Sequence, residues 1–149
     1  MTLPMLQELN TRGKRVLVRV DFNVPMHNGK ITDDTRIKAT IPTINYLREQ
    51  NAKIILCSHL GRPGGLIQEE TRLGPIATYL SDLLKIPVGY AATCIGADVT
   101  HRISSLNPGD VLLLENLRFH AGEEANDLEF SKELASLAEI FVNDAFGAA

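Results

Sequence analysis

The period of the hydrophobic positions changes several times along the chain, and each change marks an element. Arg15 to Val20 reads as a β-strand: Val16, Val18 and Val20 share one face at period two, with Leu17 and Arg19 on the other. The run breaks at Asp21, Phe22 and Asn23, and Pro25 cannot donate to a ladder. His27 to Lys30 is a turn signal, with Gly29 suited to positive φ. Asp33, Asp34 and Thr35 are N-cap candidates for a helix whose stripe is Ile37, Ile41, Ile44 and Leu47. Pro42 is out of place in that stripe. It requires either that the helix start close to it or that a tight turn precede the helix.

Lys53 to Cys57 is an almost unbroken apolar run, the pattern of a strand covered on both faces. It ends in a polar, glycine-rich loop, Ser58 to Gly65, and Leu66 to Glu70 is expected to be exposed. Leu73, Ile76, Leu80 and Leu83 make the next helical stripe, with Pro75 in its first turn. A short strand at Val88 to Tyr90 and a short helix over 97–105 follow. Asn107-Pro108-Gly109-Asp110 then launches the apolar strand Val111 to Leu114. Asn126 and Glu129 form a capping-box pattern, and Phe130, Leu134, Leu137 and Ala138 continue it as an amphipathic helix. The last strand, Ile140 to Val142, runs into Asn143 and Asp144.

Strands and helices alternate, and several strands are apolar throughout, which predicts an α/β fold: a three-layer αβα sandwich around a parallel sheet. No repeat or low-complexity linker divides the chain. A parallel sheet needs cover at its final strand, and none follows Ala149, so the sequence is expected to be part of something longer.

With 149 residues there is room for one domain with a real core. A net charge of −3 argues against a general affinity for nucleic acid or anionic membranes, so an anion site must come from local clustering of Arg and His. Cys57 and Cys94 suggest neither a disulfide framework nor metal spacing, and Cys57 fits a small core residue. His27, His59, His101 and His120 are too scattered for a metal motif, and all but His59 are expected at the surface. The N-terminus lacks a signal peptide's basic region and apolar core, which makes the cytoplasm the default compartment.

One arrangement repeats: an apolar strand followed at once by polar residues. Asp21 and Asn23 follow the first strand and His59 and Arg62 the second. Glu115, Asn116 and Arg118 follow another, and Asn143 and Asp144 the last. Arg36 lies at or just before the first helix. In a parallel sheet such ends share one edge, where ligands bind. Arginine forks match phosphate and carboxylate oxygens, and Gly61, Gly64 and Gly65 let backbone N–H groups approach an anion. Taken singly, an Arg or Asp at a strand end is more often a solvated cap, so only joint placement points to a ligand. Ser58 beside His59 is no nucleophile elbow, because Gly-x-Ser-x-Gly is absent. P-loop and dinucleotide fingerprints are absent too. These residues argue for an α/β domain with a basic pocket for a small anion.

Five ordered segments resemble a known family: Arg19 to Pro25, Asp33 to Ile37, Ser58 to Pro63, Leu114 to Phe119 and Val142 to Gly147. Together with Cys94-Ile95-Gly96 they are similar, from about residue 10 onwards, to the N-terminal domain of phosphoglycerate kinases. The resemblance implies a Rossmann-like domain of a two-domain kinase fold, incomplete at its C-terminus, with residues 1–149 forming the triose half. It implies reversible phosphoryl transfer between 1,3-bisphosphoglycerate and ADP, giving 3-phosphoglycerate and ATP. The Mg-ATP or Mg-ADP would be bound by a C-terminal domain absent from this chain, which itself would hold no cofactor or metal. The triose site it implies is Asp21, Phe22, Asn23, Arg36, His59, Leu60, Gly61, Arg62 and Arg118, with Arg36 neutralising the phosphoryl group in flight. The remaining arginines would hold the substrate phosphate, while Asp21 and Asn23 fix its hydroxyl and carboxyl end. Gly64 stands where many relatives carry Lys, and Leu128 where Pro is frequent. Family members are more than twice as long.

Two further readings stand beside a catalytically incomplete kinase segment. One is a free-standing 3-phosphoglycerate-binding module, and the other an unrelated phosphate-binding α/β protein. All partners expected are small anions, with no nucleic acid and no membrane, and the family's working state is a monomer. The common expectation is that Arg36, Arg62 and Arg118 meet at one rim of the sheet.

Overall fold

The alternation seen in the first strand divides the whole molecule into two cores. The computed structural model describes residues 9–60, 72–117 and 128–144, the side chains of 128–131 aside. Its elements are β1 (Arg15–Val20), β2 (Met26–His27), β3 (Lys30–Ile31), α1 (Thr35–Glu49), β4 (Lys53–Cys57) and α2 (Gly74–Leu84). β5 (Val88–Tyr90), α3 (Ala97–Ser104), β6 (Val111–Leu113), α4 (Leu128–Ala135) and β7 (Ile140–Asp144) follow. Five strands form one parallel sheet in the order β5-β6-β4-β1-β7.

Val16, Val18 and Val20 pack with Ile54, Leu56, Val111 and Leu113 against Ile37, Ile44 and Leu47 of α1 and Ile76 and Leu80 of α2. The opposite face, Leu17, Ile55, Cys57 and Leu112, packs against Val99 and Ile103 of α3, and against Leu134 of α4 with Leu137 just beyond it. Each buried apolar residue of β1, β4 and β6 therefore lies in one of two helix-covered cores, which is the three-layer arrangement expected of uninterrupted apolar strands. The register sets Val18 level with Leu56 on one side and Val142 on the other. In a parallel sheet this alignment brings the residues after β1, β4 and β6 to the same edge.

The turn signal at 27–30 closes a small antiparallel hairpin, β2 with β3. Asn28 (φ 51°) and Gly29 (φ 76°) are both left-handed, as a two-residue type I′ turn requires.

Two expectations need correction. Pro42 is neither close to the start of the first helix nor preceded by a turn; it lies in the interior of α1. Its ring removes the N–H that would reach the Lys38 carbonyl, at a propensity cost of about 3 kcal/mol. Ile37, Ile44 and Leu47, all fully buried, offset this at about 1.5–3 kcal/mol each, and Pro42 itself faces solvent. The last strand also continues to Asp144, because Asn143 pairs with Arg19 and Asp144 with Val20. Those two residues belong to the ladder rather than to a loop. The expected exposure of 66–70, the cap at Asn126 and the position of His120 lie outside the described residues. Among the described residues β7 is an edge strand, and Phe141 on it is 57% exposed. No described helix is long and apolar enough to cross a membrane.

Candidate functional site

β1 ends at Val20, and the chain turns at once. The Asp21 carboxylate, its side chain only 8% exposed, accepts the Asn23 amide hydrogen at 3.1 Å, closing a local turn. The same oxygen faces Nη1 of Arg36 at 3.4 Å. Nη1 of Arg36 also donates to the Asn23 carbonyl at 2.7 Å. One terminal nitrogen of the Arg36 guanidinium is thus held by the loop after β1, while half of the side chain remains exposed.

Arg36 stands in the first turn of α1, and two neighbouring carboxylates orient that turn. Asp33 accepts both the amide (3.0 Å) and the hydroxyl (2.7 Å) of Thr35, which hold its carboxyl below the ordinary aspartate range. Asp34 occupies the N-cap position, but its side chain makes no capping bond. Instead it accepts the Tyr79 hydroxyl from α2 and pairs with Lys38 at 3.3 Å. The Tyr79 hydrogen bond is the main cause that lowers the Asp34 pKa, and the same bond raises the phenol's.

The end of β4 is tied to this loop from below. Ser58 accepts the Phe22 amide hydrogen on Oγ at 3.0 Å and donates to the His59 carbonyl at 3.0 Å. His59 is 8% exposed. Leu60 has both backbone groups engaged by Asn116, whose Oδ1 accepts its N–H at 3.2 Å and whose Nδ2 donates to its carbonyl at 2.7 Å. Glu115, 1% exposed, receives the Leu73 and Asn116 amides at 2.8 Å each, Arg72 at 3.4 Å and the Tyr90 hydroxyl. Burial raises its pKa against the opposing pull of the Asn116 and Leu73 amides and of Arg72.

Of the residues named from the sequence, Asp21, Asn23 and Arg36 are brought into direct contact, and Phe22 is joined through Ser58 to His59. Phe22 and Leu60 send their side chains into the core beside α1 and α2, which leaves only their backbone groups for the carboxyl edge. Gly61, Arg62 and Arg118 lie outside the described residues. Asn143 and Asp144 are on β7, where burial raises the Asp144 carboxyl against a hydrogen bond from Thr43. His27 and His101 are exposed, as expected. Sequence reasoning noticed Glu115 and Asn116 as strand-end groups but missed their role as anchors, and it set Ser58 aside once nucleophile chemistry was excluded. The change from apolar strand to polar residues marks all three, but nothing local shows that they turn inward.

A parallel three-layer domain with polar groups gathered where strands end defines the class: an open α/β domain of the kind that binds ligands at the carboxyl ends of its strands. The family profile described as phosphoglycerate kinase matches residues 6–149, and the chain belongs to that family. It is 57% identical over 148 residues to the phosphoglycerate kinase of Dictyoglomus turgidum, an alignment covering 99% of this chain and 37% of that protein. Among solved structures it is similar to phosphoglycerate kinase from Pyrococcus horikoshii OT3, with a TM-score of 0.85 and 38% identity over 95% of this chain and 36% of that one. The Coxiella burnetii enzyme gives a TM-score of 0.83 and 41% identity, over 97% and 35% respectively. The chain thus spans about a third of the length of these relatives.

Proposed function

We propose that this chain binds 3-phosphoglycerate or 1,3-bisphosphoglycerate as the triose half of a phosphoglycerate kinase, and that alone it does not turn over ATP. The observation that carries the reading is the seating of Arg36 on Asp21 and the Asn23 carbonyl at the carboxyl edge. Held through Nη1 and half exposed, the guanidinium would meet negative charge gathering at this edge. Charge placed in advance costs no reorganisation during reaction, which is how phosphoryl transfer is chiefly catalysed. Asp21 and Asn23 have a second part, fixing the hydroxyl and carboxyl end of the triose. His59, whose carbonyl Ser58 joins to the Phe22 amide, belongs to the same reading, and Arg62 and Arg118 supply its remaining positive charge.

The nucleotide and its magnesium, which supply the other half of the reaction, are assigned by family resemblance to residues beyond these 149. The working enzyme on this reading is a cytoplasmic monomer with small phosphorylated acids as its partners.

Titration calorimetry with 3-phosphoglycerate tests the proposal. Saturable binding at one site, abolished by Arg36→Ala, is expected. No heat beyond dilution from a folded sample would overturn it, and ATP-dependent turnover by the purified chain would overturn its second part.

A further inference from the structure

We propose that Glu115 and Asn116 are positioning residues of the triose site, a single anchor that holds His59-Leu60 on one side and Arg72-Leu73 on the other. The inference rests on the triose reading above and concerns residues to which that reading gives no role.

Asn116 engages both the N–H and the carbonyl of Leu60, at 3.2 and 2.7 Å. That pairing needs one donor and one acceptor on the same flat group, so a carboxamide suits it and a carboxylate does not. Leu60 directly follows His59, whose carbonyl is held by Ser58, the residue that also receives the Phe22 amide. A shift at Leu60 is therefore passed to His59 and to the loop carrying Asp21 and Asn23. Leu117 completes the fastening, its amide donating to the Ser58 carbonyl at 3.0 Å.

Glu115 works in the other direction. A carboxylate this buried is costly unless its lone pairs are filled. Here two backbone amides reach Oε1, while Arg72 and Tyr90 reach Oε2. One side chain thereby joins the end of β6, the entry to α2 and the end of β5. One of the two amides is that of Asn116 itself, so the pair acts as a unit. An apolar residue would satisfy the core at this position; a charged one gathers the backbone. Leu60 and Arg72, the two points held, bracket the stretch that carries Gly61 and Arg62 in the sequence.

The experiment is calorimetric titration of the full encoded chain with 3-phosphoglycerate, comparing wild type with Asn116→Asp, Glu115→Gln and Tyr90→Phe. Asn116→Asp sets a carboxylate oxygen against the Leu60 carbonyl, and Glu115→Gln turns an amide donor toward Arg72 or the backbone amides. Each is expected to weaken binding about tenfold or more at unchanged stoichiometry. Tyr90→Phe removes one hydroxyl donor and is expected to weaken it about threefold, which keeps the test available should the other two not fold. A merely structural role gives the opposite signature: fewer competent sites, each with wild-type affinity. That result, or Kd values within about twofold of wild type, overturns the inference while leaving the triose reading intact. If wild type itself shows no binding, the triose reading fails and this inference falls with it.

Discussion

The Ser58 hydroxyl oxygen receives the Phe22 amide hydrogen at 3.0 Å, joining the loop after β1 to the loop after β4. The two loops are separated by 36 residues in sequence but follow adjacent strands of the sheet. Replacing Ser58 with Ala leaves a buried N–H without this acceptor, at an expected cost of about 1–3 kcal/mol. Urea denaturation of wild type and Ser58→Ala measures it. A midpoint unchanged within error would show that the bond is not a structural tie.

Arg36→Lys separates the charge of this residue from its shape. A lysine keeps the positive charge and can offer one nitrogen to Asp21 and the Asn23 carbonyl, as Nη1 does, but it lacks the second terminal nitrogen and the flat fork that would grip a pair of phosphoryl oxygens. In a complete enzyme carrying this segment, kcat is expected to fall by about a hundredfold or more. Stability should change by less than about 0.5 kcal/mol, because half of the side chain is solvated. Steady-state kinetics and thermal melts of the same preparation check the two halves of the statement.

Pro42→Ala should stabilise the fold. Alanine restores a donor for the Lys38 carbonyl in the middle of α1, and the exposed proline ring gives up little packing. A gain of about 1 kcal/mol or more is expected from the helix propensities, reduced by the extra freedom alanine has in the unfolded chain. Denaturant midpoints decide it, and a destabilised variant would mean the helix is built around the ring.

Glu115 imposes a pH dependence whose sign can be worked out. Its pKa is raised on folding by burial, so near that value the native state binds more protons than the unfolded state. Its contribution to stability is therefore fullest below the ordinary glutamate range and declines as pH rises through the raised value. Glu115→Gln removes this titration. The difference in melting temperature, variant minus wild type, should climb with pH across that window and level off above it. Asp144, also raised by burial, is present in both proteins and cancels from the difference.

Much of the strand framework around the candidate site was legible in the sequence because strand chemistry is local. The period-two run from Val16 to Val20 and the abrupt change at Asp21 mark both a strand and the polar end where the candidate site lies. The turn at Asn28 and Gly29 was equally plain, though two-residue strands on either side leave too little pattern to reveal a hairpin. Pro42 misled because the penalty it carries is local, while the burial that outweighs it involves side chains packed from distant strands. The reach of β7 to Asp144 was hidden for a similar reason: Asn143 and Asp144 are strand residues only because Arg19 and Val20 lie beside them.

The order of residues by itself determined the longer strands and the helices, which faces of each are apolar, and which polar groups follow β1, β4 and β6. Periodicity and turn chemistry are properties of neighbours in the chain. Only the tertiary structure decided that β4 lies between β6 and β1, that Arg36 rests on Asp21, and that Glu115 and Asn116 face inward to hold backbone rather than outward to meet a ligand. Those outcomes depend on which strands pair and on where a buried polar group can find partners, and both are settled by residues far away in sequence.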